Sequence, residues 1–210
     1  MPNVPAIAPS DEDLVGRARR GCAASFEQIV RRFQAPVLQF LRRRGAGADA
    51  EDLLQESFVR AFTNLHRYRN RWRFATWLFT IARRVSINHH RRSKAAASDS
   101  FESAPSPGRE PVEVMAEEES RRNLWDLAGR VLSEDEVTAL WLFYVEEMPV
   151  REIAGVLERS RTGVKTMMCR ARKKLQPLVA AEEADALQGR TTNRRSSESP
   201  RMLGIEVSNG

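Results

Sequence analysis

The sequence predicts an all-α chain of two small helical domains joined by a flexible acidic linker. Apolar residues recur at three- and four-residue intervals along most of the chain, and no run alternates with the two-residue period of a strand. The periodic segments fall into two groups, parted from Ser93 to about Glu117 by a stretch of Ala, Ser, Pro, Gly and Glu without a period. On this reading residues 1–10 are a loose lead-in, 11–93 the first domain, 94–118 the linker, 119–179 the second domain and 180–210 a disordered tail with a brief apolar patch at Met202 to Val207.

Asp11 to Arg20 and Ala24 to Gly45 read as helices. The second carries Phe26, Ile29, Val30, Phe33, Val37, Phe40 and Leu41 at helical spacing, with Pro36 as a kink or break and Gly45 and Gly47 as its end. The next helix, Asp49 to Phe62, has two faces. Leu54, Phe58, Ala61, Phe62 and Leu65 form one apolar stripe, expected to be core. Opposite lie Asp52, Gln55, Glu56 and Val59. Asp49 is placed to cap the helix, and Glu51 and Asp52 complement the positive end of its dipole. That local use does not reach Gln55 and Glu56, which lie beyond the first turn and share a face with Val59, so this face is expected to be a contact surface.

A fourth helix runs from Phe74 to about Arg92, with Arg83, Arg84, Asn88, Arg91 and Arg92 on a polar, mostly basic flank. After the linker, helical patterning resumes near Ser120 and runs to Val131. Ser133-Glu134-Asp135-Glu136 has the spacing of a capping box and opens a helix carrying Val137, Leu140, Trp141 and Tyr144. Pro149 suits the first turn of the following helix, Val150 to Leu157, and the turn Glu158-Arg159-Ser160 leads to a last helix from Arg161 to about Val179.

The formal charge of +6 over 210 residues suits an anionic partner, provided the cations are clustered. They are. From Arg159 to Lys174 there is no acid, while Arg159, Arg161, Lys165, Arg170, Arg172, Lys173 and Lys174 are basic. The two helices flanking Glu158 to Ser160 have the outline of a helix-turn-helix: Val164, Met168, Ala171 and Leu175 make its buried stripe, leaving Thr162, Lys165, Thr166, Cys169 and Lys173 for a major groove, with Arg170 beside them. In the first domain, Tyr68-Arg69-Asn70-Arg71-Trp72-Arg73-Phe74-Ala75-Thr76-Trp77 interleaves rings with guanidinium groups, a mixture suited to unpaired bases. For Trp77, core packing and base contact both stand open.

Other chemistries find little support. Cys22 and Cys169 are far apart and lack paired-ligand spacing, and His66, His89 and His90 sit in no Glu-x-x-His or Cys-x-x-Cys pattern, so neither a metal nor another cofactor is expected. No apolar run approaches the ~20 residues of a membrane span, and the first residues lack the order of a signal peptide. A cytoplasmic protein without enzymatic activity is expected.

Three motifs in this order carry a resemblance: Asp49-Ala50-Glu51-Asp52-Leu53-Leu54-Gln55-Glu56-Ser57-Phe58, then Phe74 to Arg83, then Arg151-Glu152-Ile153-Ala154 with Val164-Lys165-Thr166 and Arg170-Ala171-Arg172. The chain resembles bacterial RNA polymerase sigma factors of the sigma-70 family, in the extracytoplasmic-function group that keeps only regions 2 and 4. The resemblance implies that Asp52, Gln55, Glu56 and Val59 dock on the clamp helices of the polymerase largest subunit. It implies that Tyr68, Arg69, Asn70, Arg71, Trp72, Arg73, Trp77, Arg83, Arg84, Asn88, Arg91 and Arg92 melt and hold the single-stranded −10 element. Arg159, Ser160, Arg161, Thr162, Lys165, Thr166, Arg170 and Lys173 would read the duplex −35 element. It further implies contact of region 4 with the polymerase beta flap, an acidic linker threading toward the RNA exit path, an anti-sigma factor as partner, and a monomer when free. The competing expectation is a stand-alone helix-turn-helix regulator whose first domain senses or dimerises, although such a regulator needs neither the acidic patch nor the aromatic loop.

The chain departs from the family pattern at four places. Arg84 and Asn88 stand where the family commonly has Asn and Asp. Glu158 stands where it has a turn Gly, at a cost of about 1 kcal/mol if the backbone keeps positive φ. Gly163 replaces a usual Thr and is expected to remove a contact or a cap.

Overall fold

The computed structural model describes residues 8–99 and 116–196. Among these there are helices and turns and no strand. Helix α1 (Asp11–Arg19) opens with a capping box in which Ser10 Oγ accepts from the Asp13 N–H and the Asp13 carboxylate accepts from the Ser10 N–H. Helix α2 (Ala23–Leu41) runs through Pro36 without breaking. Proline removes one donor, but Ile29, Phe33, Val37 and Phe40 bury one continuous face on either side of it, and that burial keeps the helix whole. A π turn, Arg42–Ala46, ends it with Gly45 at φ +76°, a conformation that favours glycine.

A short 3-10 turn, Gly47–Asp49, then delivers the chain to α3 (Ala50–Thr63). Asp49 is the residue before the helix but does not cap it with its side chain. The turn has already brought its backbone near the helical region, and its carboxylate instead meets His89 Nε2 at 3.1 Å. The buried stripe of α3 is Ala50, Leu53, Ser57, Phe58 and Ala61, continued by Leu65. Leu54 is only partly buried and Phe62 is 55% exposed, its ring edge-on to Phe26 at 4.9 Å. The stripe is thus rotated slightly from the one the spacing predicts, and Phe62 leaves the core.

Helix α4 (Phe74–Asp99) outruns its expected end at Arg92, and α5 (Ala116–Val131) starts ahead of Ser120, so both ends of the predicted linker are helical. Lys94 to Ala97 is three alanines after a lysine, all good helix formers, which the absence of an apolar period conceals. Residues 100–115, with Glu102, Glu110 and Glu113, lie outside the described residues, as do most of the lead-in and Met202 to Val207.

Ser133 and Glu136 cap α6 (Glu134–Tyr144) in the predicted box. Within α6, Val137, Leu140 and Trp141 are buried, but Tyr144 is exposed. Helices α7 (Val150–Leu157) and α8 (Arg161–Ser196) complete the fold. Helix α8 continues well past the expected tail boundary at residue 180. Ala180, Ala181, Glu182, Glu183, Ala184, Ala186 and Leu187 have high helix propensity without an apolar face, so a reading based on periodicity stops too early.

The two halves pack directly on each other. Trp141 of α6, 1% exposed, meets Phe40 of α2 and Phe79 of α4 at ring-centroid distances of 5.9 and 5.8 Å. Beside them Arg44, 3% exposed, leaves the π turn and enters the second half. It donates to Thr138 Oγ1 at 3.0 Å and Glu134 Oε2 at 3.1 Å, and to Ser86 Oγ in its own half at 3.4 Å. Burial lowers the Arg44 pKa, and Glu134 and Asp135 counter that by stabilising its charge. No helix among the described residues is long and apolar enough to cross a membrane.

Candidate nucleic-acid interface

Three surfaces hold the residues that the sequence singles out. The first is the outer face of α3, where Asp52 and Gln55 are exposed, Glu56 is half-buried and Val59 is 61% exposed. Glu56 is paired with Arg60 one turn on. Phe62 joins this face and turns one exposed Val into an apolar pair within a polar rim. The sequence signal for Phe62 was ambiguous because its spacing fits the buried stripe and the outer face alike.

The second surface begins in the aromatic loop. Tyr68 is buried: its ring packs on Phe74 and Trp77 at 5.6 and 5.5 Å, and its hydroxyl donates to the Trp72 carbonyl at 2.8 Å. Burial, with Glu12, Asp11 and Glu152 adding to it, pushes its pKa up to about 12. Tyr68 therefore organises the loop from within and is not available for stacking on a base. Trp77 is half-buried against Tyr68 and Phe74, so core packing takes one face of its ring. Trp72 is half-buried with Arg71 and Arg151 near its ring, at 5.9 and 5.8 Å. Arg69, Asn70 and Arg71 are exposed, as are Arg91 and Arg92 further along α4, with Asn88 half-buried between.

The remaining arginines of this surface face carboxylates of the second half. Arg73 Nε donates to Glu152 Oε2 at 3.1 Å, and the Thr76 hydroxyl donates to the same oxygen. Glu152 is 2% exposed, so these bonds satisfy a buried carboxylate. Arg83 donates to Asp135 at 3.4 Å, and Arg84 places both Nε and Nη2 on Glu158 Oε1, at 2.9 and 2.6 Å.

The third surface is the helix-turn-helix. Val164, Met168 and Ala171 are buried and Leu175 partly so, as the period predicts. Arg161, Thr162, Lys165, Thr166, Cys169, Arg170 and Lys173 are exposed along one side of α8. Gly163 does not remove the helix cap. Its N–H donates to Ser160 Oγ at 3.1 Å, and a Cβ there would stand 3.0 Å from that oxygen, so glycine lets the cap approach closely. Ser160 is thereby occupied in capping. Glu158 keeps the strained turn, with φ +56° and ψ +39°. Arg159 is drawn toward Asp135, donating from Nε and Nη2 at 3.2 and 2.8 Å, and Lys174 pairs with Glu136 at 2.9 Å.

Asp135 thus sits among three guanidinium groups, Arg159, Arg83 and Arg44. Burial by itself raises its carboxyl pKa, but hydrogen bonding from Arg159 and the charges of Arg83, Arg159 and Arg44 outweigh this and hold it below the ordinary carboxylate range. A carboxyl lowered in this way contributes stability above its unfolded pKa of about 3.9 and loses that contribution as pH falls through the lower folded value. Thermal unfolding followed from about pH 7 to about pH 2 is therefore expected to show an acid limb that Asp135→Asn flattens; an unchanged limb counts against the cluster.

Sigma-70 region 2 matches residues 29–96, and Sigma-70, region 4 matches residues 126–175. The chain belongs to the sigma-70 family. The ECF RNA polymerase sigma-E factor of Salmonella typhimurium is 29% identical over 185 residues, covering 81% of this chain and 96% of the relative. Among solved structures, CnrH in complex with the cytosolic domain of CnrY is similar at 25% identity and a TM-score of 0.62, covering 82% of this chain and 99% of that one. RpoE of Bartonella quintana, solved with the anti-sigma factor NepR, shares the fold at 20% identity and a TM-score of 0.65, over 74% of this chain and 96% of that one. This sigma factor, of the extracytoplasmic-function type, directs transcription initiation. Region 2 is the half that carries α3 and α4, and region 4 is the half that carries α6 to α8.

Proposed function

We propose that this sigma factor docks on core RNA polymerase through Asp52, Gln55, Glu56 and Val59, extended by Phe62, and selects promoters with the other two surfaces. The −10 strand is held by Arg69, Asn70, Arg71, Trp72, Arg73, Arg84, Asn88, Arg91 and Arg92, with Trp77 offering its open face and Arg83 reinforcing the cationic wall. The −35 duplex is read by Arg161, Thr162, Lys165, Thr166, Arg170 and Lys173, with Arg159 at the entry of the groove. Tyr68 and Ser160 act by shaping the loop and the turn. The protein performs no catalysis of its own; the polymerase supplies the chemistry. Its place of action is the cytoplasm, and an anti-sigma factor and the beta flap are its further protein partners.

The observation that supports this reading best is the exposure of Val59 and Phe62 amid carboxylates on one helix of a chain that also presents two cationic surfaces. A regulator that binds duplex DNA alone has no use for that pair. Run-off transcription with core polymerase on a promoter library tests the reading, with transcripts expected only when this protein is added. Lys165→Ala with Arg170→Ala is expected to weaken binding to the selected duplex by roughly tenfold or more, and to reduce the slope of log affinity against log salt by about 2 if both cations meet phosphates. An unchanged slope removes α8 from the interface.

A further inference from the structure

One cavity of about 920 Å³ is lined from both α4 and α8, a volume inside the range of about 300 to 1,000 Å³ that small-molecule sites occupy. Helix α4 contributes Arg83 and Ile87, one turn apart. Helix α8 contributes Thr162, Thr166 and Arg170, which follow one another at i, i+4 and i+8, with Met167 beside them. The charges of the lining do not balance. Glu134 takes Arg44, Asp135 takes Arg159 and Arg83, and Glu136 takes Lys174, so five cations stand against three carboxylates. Arg170 and the hydroxyls of Thr162 and Thr166 have no partner among the described residues. Arg83 is 12% exposed; its Nη2 reaches Asp135 at 3.4 Å, while its Nε is buried without a partner among the described residues. A buried donor in that state favours an acceptor oxygen beside it. The excess of two positive charges matches one phosphate monoester, which carries about −1.5 to −2 at pH 7.

We propose that this cavity binds an organic phosphate of nucleotide size, with Arg83, Arg170, Thr162 and Thr166 on the phosphate and Ile87 and Met167 against the uncharged part. Two guanidinium groups suit a phosphate because each offers several N–H donors in a fixed plane, and the two threonine hydroxyls add donors that turn to meet its oxygens. Ile87 and Met167 are half-buried and supply the apolar wall that a bare anion does not need. The volume points the same way, since inorganic phosphate fills only a small part of it. Thr162, Thr166 and Arg170 also belong to the face assigned to the −35 duplex, so a molecule in the cavity withholds them from DNA. That consequence rests on the function proposed above, whereas the binding itself does not.

Calorimetric titration of the full chain with adenosine 5′-monophosphate, at about 0.15 M salt and without polymerase or DNA, tests the site. One molecule per chain is expected, with a Kd of roughly 10 μM to 1 mM. Adenosine and inorganic phosphate, the two halves of the probe, should each bind at least about tenfold more weakly. Arg83→Met keeps the stem and removes the donors, and is expected to weaken the nucleotide by about tenfold or more. Thr166→Val keeps the shape at an exposed position where folding is not at stake, and is expected to cost about threefold. Arg130→Ala removes an exposed cation that is not part of the lining and should leave the Kd within about twofold, which separates a site from general attraction to a basic chain. No binding at about 10 mM nucleotide, inorganic phosphate as tight as the nucleotide, or Arg83→Met and Thr166→Val both at the wild-type value would each overturn the proposal. So would an oligonucleotide that needs Arg83 and Thr166 while the mononucleotide does not bind, because the cavity then belongs to nucleic acid. A second arm adds the nucleotide to a labelled duplex chosen from the promoter library, and the apparent Kd of the duplex is expected to rise as the cavity fills. If the nucleotide binds through Arg83 and Thr166 and the duplex is unaffected, the cavity site stands and the assignment of α8 to the duplex fails.

Discussion

The full-length chain carrying Asp52→Arg with Glu56→Arg is expected to lose about 100-fold or more in affinity for core polymerase, with helical content unchanged. Each reversal places a cation where the proposed docking face presents a carboxylate, and two such positions beside an apolar anchor cost a few kcal/mol in an interface. The fold should survive because Asp52 is exposed and the partner of Glu56 is Arg60 at i+4, a surface pair worth a few tenths of a kcal/mol. Titration of labelled core polymerase, with circular dichroism as the folding control, decides it. Unaltered affinity would remove α3 from the polymerase interface.

Trp141→Ala is expected to destabilise the folded chain by about 3 to 5 kcal/mol, the cost of deleting a large buried ring whose neighbours cannot collapse into the space. The neighbours are Phe40 and Phe79, each anchored in region 2. Trp141→Phe should behave very differently. The indole N–H of Trp141 is buried without a hydrogen-bond partner among the described residues, so replacing it by a smaller apolar ring removes an unsatisfied donor while leaving part of the packing. A change within about 1.5 kcal/mol of wild type is expected. Urea denaturation of the three proteins tests the pair of expectations. Equal losses for Ala and Phe would show that packing by the whole indole, and not relief of an unsatisfied donor, decides this site.

Helix positions in this chain were legible because each helix buries a stripe whose spacing survives in the sequence. Ser133 and Pro149 mark helix starts, and Val164, Met168, Ala171 and Leu175 announce the buried side of the last helix, whereas the capping box at Ser10 falls within the expected lead-in. Helix ends were less legible. Alanine-rich segments such as Lys94 to Ala97 and Ala180 to Leu187 extend helices by backbone propensity alone and leave no periodic mark. Among the surface residues, those on one helix were read well, because exposure within a helix follows from its own period.

Residues whose surroundings come from elsewhere in the chain were not. Tyr68 carries the same sequence signal as Trp72, yet one is core and the other half-covered, because Phe74 and Trp77 close over the tyrosine. Phe62 and Leu65 fit one stripe by spacing, yet Phe62 stays exposed beside Phe26 of α2, while Leu65 is buried where the turn after α3 packs against α1. Asp49 has the identity of a cap but is claimed by His89, 40 positions later in the sequence.

By itself the sequence determined the helical elements, the order of the acidic face, the aromatic loop and the helix-turn-helix, and the cationic character of the last two. It did so because these properties are set by spacing and composition within single helices. The pairing of Arg73, Arg83 and Arg84 with Glu152, Asp135 and Glu158 was decided only by tertiary structure. A charge read along the chain has no partner until two helices remote in sequence are brought within hydrogen-bonding distance, and here that step sets carboxylates of the second half against arginines at the start of α4 and along it.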